Sequence, residues 1–463
     1  MTSYSSTDPC GLSAEALVHA YAVGELAPSS VLDAVLARRD LIDPQLNLFA
    51  TRDDAGARRM AEASDARWRA GQPLGPLDGV PIAIKDNIPV AGLRCAWGSK
   101  LFLDYIPTED ELPVARLRAG GAVLLGKTNV SEFTLGRGNV STLAFGTTRN
   151  PWDPALTTGA STGGGAAAVA TGIGPLGLGT DGGGSIRWPA SYTGLVGLKP
   201  STGRIARRHG LPVVLNDLEV IAPIGRTVGD VARLLDAVAA PDPHDRASLA
   251  FRAPPPVEVP RSLRILYVGR FGDYAVEPEI GASTRAAAQR LAAMGHAVEE
   301  GPVPFDFARF DTHWRTIGTS GLAWLLRDRP GWEAQVGEIY PPMVEAGRSF
   351  TAADYVDALN VFRTLFDQMA SFFETYDLLL TPVAGAMPWS AAELAPVYQR
   401  VFTGFANVTG LPAISLPGPP SPTGIPIGFQ LVAPFAHDER LLTIGRAYEA
   451  AYPWADRWPA MVP

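Results

Sequence analysis

The sequence predicts an α/β protein built on a largely buried sheet, parallel in good part. Two observations predict it. From about residue 80 onward, short and almost wholly apolar runs alternate with helical patterns, as strands covered on both faces do. The chain of 463 residues is 46% hydrophobic and 19% charged, ample for a sizeable core.

The elements follow in chain order. "SAEALVHAYAVG" opens on a cap at Ser13, sets Leu17, Ala20 and Tyr21 on one stripe and stops at Gly24. "PSSVLDAVLARRDLI" places Ser30 three residues before Asp33, an acidic variant of the capping box, with Val31, Val35 and Leu36 on its inner face. "GVPIAIKDNIPV" (79–90) is a short buried strand running into a turn. "ARLRAGGAVLLGKTN" reads helix, glycine turn, strand; "GGGAAAVATGIG" is a helix of small residues, and "LGLGTD" an apolar strand. "RILYVGRF" and "STRAAAQRLAAMGHAVEE" repeat strand, helix, turn and strand. "TYDLLLTPV" and "IGFQLVAP" are strands, and "DERLLTIGRAYEAAY" closes the chain with a helix. No internal repeat occurs. The proline-rich 241–260 is a surface excursion, readable as a long loop or a linker.

Composition narrows the function. A net charge of −8 without a long Lys/Arg run argues against a nucleic-acid footprint. Cys10 and Cys95 form no C-x-x-C pair, and the histidines at 19, 209, 244, 296, 313 and 437 show no metal-ligand spacing. No metal or other cofactor is therefore expected, and the thiols suit a reducing cytoplasm. "MTSYSSTDPCGLSAEA" lacks the basic and apolar regions of a secretory signal. No apolar run reaches the roughly 18 residues of a membrane span.

Three motifs need weighing. G-x-G-x-x-G occurs at Gly172, Gly174 and Gly177, and again at Gly177, Gly179 and Gly182. The first lies between helix and strand, the wrong order for a dinucleotide site. The second follows a strand, but Pro189 falls where the helix should run, and no acid occurs between Asp181 and Asp217. G-x-S-x-G occurs at Gly159–Gly163, preceded by a loop with two prolines instead of the apolar strand that a nucleophile elbow requires. Lys85 closes an apolar strand. Alone, it would be read as snorkelling to solvent; ahead of two serine-and-glycine loops it becomes a candidate base, because a desolvated lysine readily loses its charge.

"PLDGVPIAIKDNI", "GKTNVSEF", "FGTTRNPWD", "GASTGGGAAAVATGIGPLGLGTDGGGSIRWPASYTGLVGLKPSTGRI" (159–205), "FANVTGLPAISLP" and "GIPIGFQLVAPFAHDERLL" stand in an order that resembles the amidase signature family. The resemblance covers essentially the whole chain. It implies one α/β domain over 1–463 around a large, twisted, mixed sheet flanked by helices. Within it, 1–75 would be an N-terminal helical part, 76–230 the signature core and 231–463 a second part lining the substrate pocket. It also implies a serine hydrolase of C–N bonds with a Ser–cis-Ser–Lys triad. Ser185 matches the nucleophile, Ser161 the bridging serine with its cis peptide, and Lys85 the base. The N–H groups of Gly182, Gly183, Gly184 and Ser185 match the oxyanion hole. Thr162, Thr180, Asp181 and Arg187 match supporting positions, and Thr134, Leu135, Gly136 and Arg137 a pocket wall. The chain departs from the family's usual G-G-S-S-G-G-S by Ala160, Thr162 and Gly165, and has Thr158 where a proline is common.

In the chemistry so implied, neutral Lys85 takes a proton from Ser161 while Ser161 takes one from Ser185. Ser185 attacks the carbonyl, and backbone donors receive the developing charge, each typically contributing about 3–4 kcal/mol in the transition state. The segment Y-D-G-x-R-Y/F-G, common in the family's glutamine-dependent tRNA branch, is missing. The matching region carries Trp314, Trp324, Trp332 and Tyr340. If two or three of these face the site, they favour uncharged, rather hydrophobic small-molecule amides, aryl amides and anilides, with carbamates and urethanes open to the same attack. A glutamine-type amidotransferase subunit is the alternative enzyme; a non-catalytic or nucleotide-binding α/β protein is the alternative class. Neither monomer nor homodimer is singled out.

Overall fold

The computed structural model describes residues 8–136, 138–252 and 261–463. Among them the apolar runs form β1 (Phe49–Arg52), β2 (Pro81–Lys85), β3 (Val123–Thr128), the short β4 (Ser141–Thr142) and β5 (Gly146–Thr147), β6 (Leu176–Asp181), β7 (Val196–Lys199) and β8 (Val220–Gly225). They continue as β9 (Arg264–Tyr267), β10 (Ala297–Glu300), β11 (Leu378–Pro382), β12 (Ala413–Pro417) and β13 (Gly428–Val432). Strands β4 and β5 pair with each other. The other eleven make one sheet in the order β1-β3-β2-β6-β8-β7-β12-β13-β11-β9-β10.

That sheet is mixed and flanked by helices, the architecture implied by the family resemblance. It is less parallel than the alternation of strands and helices predicts. Of its ten pairings, four are parallel, in the groups β3-β2-β6 and β11-β9-β10. In the antiparallel centre, two of the pairings, β7 with β8 and β12 with β13, join strands that no α-helix separates. Without a crossover, a neighbouring strand returns in the opposite direction.

The first helix runs Ala14–Val23, with Ser13 Oγ accepting from the Ala16 N–H. The second, Pro28–Leu46, begins before the expected cap, so Ser30 sits inside its first turn. Helix Asp54–Arg69, mostly polar, has no counterpart among the segments read from the sequence. A helix also forms at Arg187–Thr193 despite Pro189, which stands at its third position, where a missing N–H is tolerated.

Two features position the site. Parallel pairing of β2 with β6, Ile84 opposite Leu178, brings Lys85 and Thr180 to the same edge of the sheet. The helix Gly163–Ala170 packs against both strands, with Ser161 just ahead of it. A methyl group on Gly164 would meet the Asn129 and Leu48 carbonyl oxygens at 2.6 Å, so this approach needs glycine. One face of the sheet buries Ile82, Ile84, Leu176, Leu178 and Leu431; a second cluster holds Phe271, Phe402 and the stacked pair Phe305–Phe405. Among the described residues no helix is long and apolar enough to cross a membrane.

Candidate active site

Lys85 ends β2 with none of its surface exposed. Its Nζ lies 2.8 Å from Ser161 Oγ, 2.7 Å from Thr180 Oγ1 and 3.2 Å from the Thr180 carbonyl oxygen. Burial pulls its pKa from 10.5 down to about 7; the charges of Glu219 and Asp181 oppose that fall, and Arg207 adds to it.

The hydrogen bonds assign the amine's lone pair. Neutral Nζ has two N–H groups and one pair. The Thr180 carbonyl can only accept. The Thr180 hydroxyl lies 3.2 Å from Glu219 Oε2, and a carboxylate can only accept, so that hydroxyl donates outward and receives from Lys85. Both amine hydrogens are then engaged, and the pair faces Ser161. Lys199, also drawn down to about 7 by burial, donates to the Pro200 carbonyl (3.0 Å) instead of meeting a serine hydroxyl.

Ser161 and Ser185 come together at one pocket. The Ala160–Ser161 peptide is cis, and the Thr162 N–H donates to the Ser185 carbonyl (3.2 Å), tying the two loops together. Thr162 Oγ1 donates to the Thr180 carbonyl (3.3 Å).

The glycine run is held from below by Asp181, which receives the Gly184 N–H on Oδ1 (2.7 Å) and the Ile186 N–H on Oδ2 (3.2 Å). Arg187 grips that carboxylate twice, at 2.9 and 2.8 Å, and spends its remaining donors on Thr403 O, Gln430 Oε1 and Asn407 Oδ1. Burial pushes Asp181 up, but the Arg187 charge and hydrogen bonds prevail and hold the carboxyl well below the usual carboxylate range. One oxyanion candidate is corrected here. The Gly184 N–H is committed to Asp181, and Gly184 does not border the pocket, whereas Gly182, Gly183 and Ser185 do.

The pocket is a cavity of about 560 Å³ with mainly apolar walls. Thr134, Leu135 and Gly136 line it, as the family resemblance implies; Arg137 lies outside the described residues. Of the four aromatics from 314–340, only Trp314 lines it. Trp332 and Tyr340 are core residues, and Trp324 is 48% exposed. The apolar wall comes instead from Trp188, Leu215, Leu218, Met343 and Phe350. Two buried polar atoms of this wall, Ser131 Oγ and Trp188 Nε1, have no hydrogen-bond partner among the described residues.

The Amidase family matches residues 30–442. The chain belongs to the amidase signature family. As a member of it, it is an enzyme that cleaves amide C–N bonds. A glutamyl-tRNA(Gln) amidotransferase subunit of Synechococcus sp. (strain RCC307) is 36% identical to this amidase over 476 residues, covering 96% of this chain and 97% of its own. The structure of 6-aminohexanoate cyclic dimer hydrolase with its substrate superposes at a TM-score of 0.87, with 30% identity over 98% of this chain and 100% of that one. A bacterial aryl acylamidase gives 0.86 at 25% identity, over 96% and 97%.

Sequence reasoning missed Asn87, Glu219, Arg207, Asn407 and Gln430. Asn87 donates to Thr180 Oγ1 (3.1 Å), Arg207 bonds Glu219 (3.2 Å), and Asn407 and Gln430 complete the Arg187 network. Asn87 and the last two lie in segments quoted for the family resemblance; no local pattern marks Glu219 or Arg207.

Proposed function

We propose that this amidase is a serine hydrolase of small amides whose reacting part is uncharged and apolar, anilides foremost, with carbamates open to the same attack. Ser185 is the nucleophile, Ser161 the proton carrier and Lys85 the base. The observation that carries this reading is the buried Lys85 Nζ 2.8 Å from Ser161 Oγ, with its two other hydrogen-bond partners both on Thr180. Ser161 gives its proton to Lys85 and takes that of Ser185, whose oxygen attacks the carbonyl carbon. Charge moves onto the carbonyl oxygen, toward the N–H groups of Gly182, Gly183 and Ser185. The C–N bond breaks as the relay returns a proton to the nitrogen, and water releases the acyl group by the same relay.

A specific finding favours a second reading, glutamine-dependent ammonia supply within a complex: the 36% identity to the Synechococcus amidotransferase protein. The mostly apolar pocket wall and the missing Y-D-G-x-R-Y/F-G segment weigh against it. A hydrolysis panel of 4-nitroanilides, short aliphatic amides, phenyl carbamates and L-glutamine separates the two. The proposal expects the highest kcat/KM on anilides. Turnover of glutamine alone, with anilides inert, would replace it by the second reading.

A further inference from the structure

The charged groups on the pocket wall are all of one sign. Among the described residues, Arg315 and Arg400 line the cavity and no aspartate or glutamate does, in a protein whose net charge is −8. The two arginines come from separate elements. Arg315 follows Trp314 on the helix Phe307–Leu326, and Gly318 and Thr319, one turn on, line the same wall. Arg400 ends the turn Val397–Arg400, of which Val397 and Gln399 also line the cavity. Trp314 sets the direction: a methyl group on Gly183 would lie 2.8 Å from its ring, so the indole covers the glycine run beside Ser185. Arg315 is solvent-exposed and Arg400 half-buried, whereas Ser185 is buried, so the two arginines belong to the outer side of the cavity.

One acid stands near Arg315 without lining the cavity. Asp311, one turn before it, receives the Tyr274 hydroxyl (2.6 Å) and does not line the cavity. Among the described residues no carboxylate stands within 4.0 Å of Arg315. The charges of Asp311, Arg400 and Arg315 all act on that tyrosine, which locates the three in one neighbourhood, with only the two arginines on the cavity wall. Two guanidinium groups at the outer end of an apolar pocket match a planar anion on an apolar arm.

We propose that Arg315 and Arg400 form an anion subsite, and that the preferred substrates are amides bearing a carboxylate at the far end of an otherwise apolar arm. This rests on the amide-hydrolase reading and deepens it: the bond that breaks is flanked by apolar groups, and the charge lies at the mouth.

The test compares matched pairs. One series is the mono-4-nitroanilides of succinic, glutaric and adipic acids against methyl-ended anilides of equal chain length. The other is 4-acetamidobenzoate against 4-acetamidotoluene. The two series tell whether the charged arm is the acyl or the amine side. In at least one, the carboxylate member is expected to have the higher kcat/KM, by about tenfold for two partly exposed charge-assisted contacts. Arg315→Glu and Arg400→Gln should each reduce that ratio, and roughly 0.5 M salt should shrink it as well. Equal or better turnover of the neutral member in both series, or a ratio untouched by Arg315→Glu, overturns the subsite and leaves the hydrolase reading standing. If no amide of either kind turns over, the hydrolase reading fails by itself. Calorimetric binding of the same pairs to Ser185→Ala then still decides the subsite: tighter binding of the carboxylate member supports it, and equal binding overturns it.

Discussion

Replacing Glu219 by glutamine should make the enzyme work at lower pH. Glu219 receives the Thr180 hydroxyl at 3.2 Å, and that oxygen receives Lys85 Nζ at 2.7 Å, so the two charges lie within about 6 Å. At an effective dielectric of about 20, a unit charge at that distance stabilises the ammonium by about 3 kcal/mol, or about two pKa units. The Glu219 side chain is 16% exposed and borders a second cavity, so water raises the local dielectric and the loss comes to about one to two units. The sign is fixed by the base. As the proposed base, Lys85 acts when neutral, so kcat/KM is expected to rise with pH through its pKa near 7. Removing a negative neighbour favours the neutral amine, and the rising limb moves toward acid. Asp181 contributes less because Arg187 neutralises it, and Arg207 keeps its 2.7 Å bond to Glu111 in the variant. The assay is kcat/KM against pH on one chromogenic anilide, wild type beside Glu219→Gln. A limb that stays in place or moves toward alkali would refute the coupling.

Arg187→Met should lower unfolding free energy by about 3–5 kcal/mol in urea, the cost of stranding a buried carboxylate. Because the Asp181 carboxyl is held low, that loss should be present throughout the neutral range, above the unfolded carboxylate pKa, and shrink only in strong acid, as pH falls through the depressed folded value. Gly184→Ala should cut kcat by about a hundredfold, a scale typical of small misplacements at reacting centres. Its φ of +124 disfavours a side chain, and the methyl would lie 2.5 Å from Thr403 Oγ1; a variant within twofold of wild-type kcat would contradict that role for the loop.

Legibility tracked the range of the interactions. The apolar run of β2 and its terminal lysine are local, and so are Ser161 and Ser185 in their glycine loops; all three could be numbered from the sequence. What prepares them is long-range. Arg187 meets Thr403, Asn407 and Gln430 more than 200 residues away, and Lys85 meets the charge of Glu219 across Thr180. Gly184 was indistinguishable from Gly182 and Gly183 in sequence, because only the fold aims its N–H at Asp181. The aromatics of 314–340 misled for a related reason. Composition cannot tell the core side of a helix from its pocket side, so Trp332 and Tyr340 looked like Trp314, while Trp188, three residues after Ser185, passed as part of the loop. The antiparallel centre of the sheet was hidden because strand–helix alternation records which elements exist and not where a helix is skipped.

The proposed chemistry is tested most directly by trapping the acyl group. A slowly released phenyl carbamate is incubated with wild type, Ser185→Ala and Lys85→Ala, and the adduct is followed by intact mass and located by peptide mapping. One carbamoyl group on Ser185 is expected in wild type, its formation rate rising with pH through about 7. Ser185→Ala should acquire none, and Lys85→Ala should acquire it slowly and without that limb. An adduct on Ser161, or an unchanged limb in Lys85→Ala, would contradict the relay.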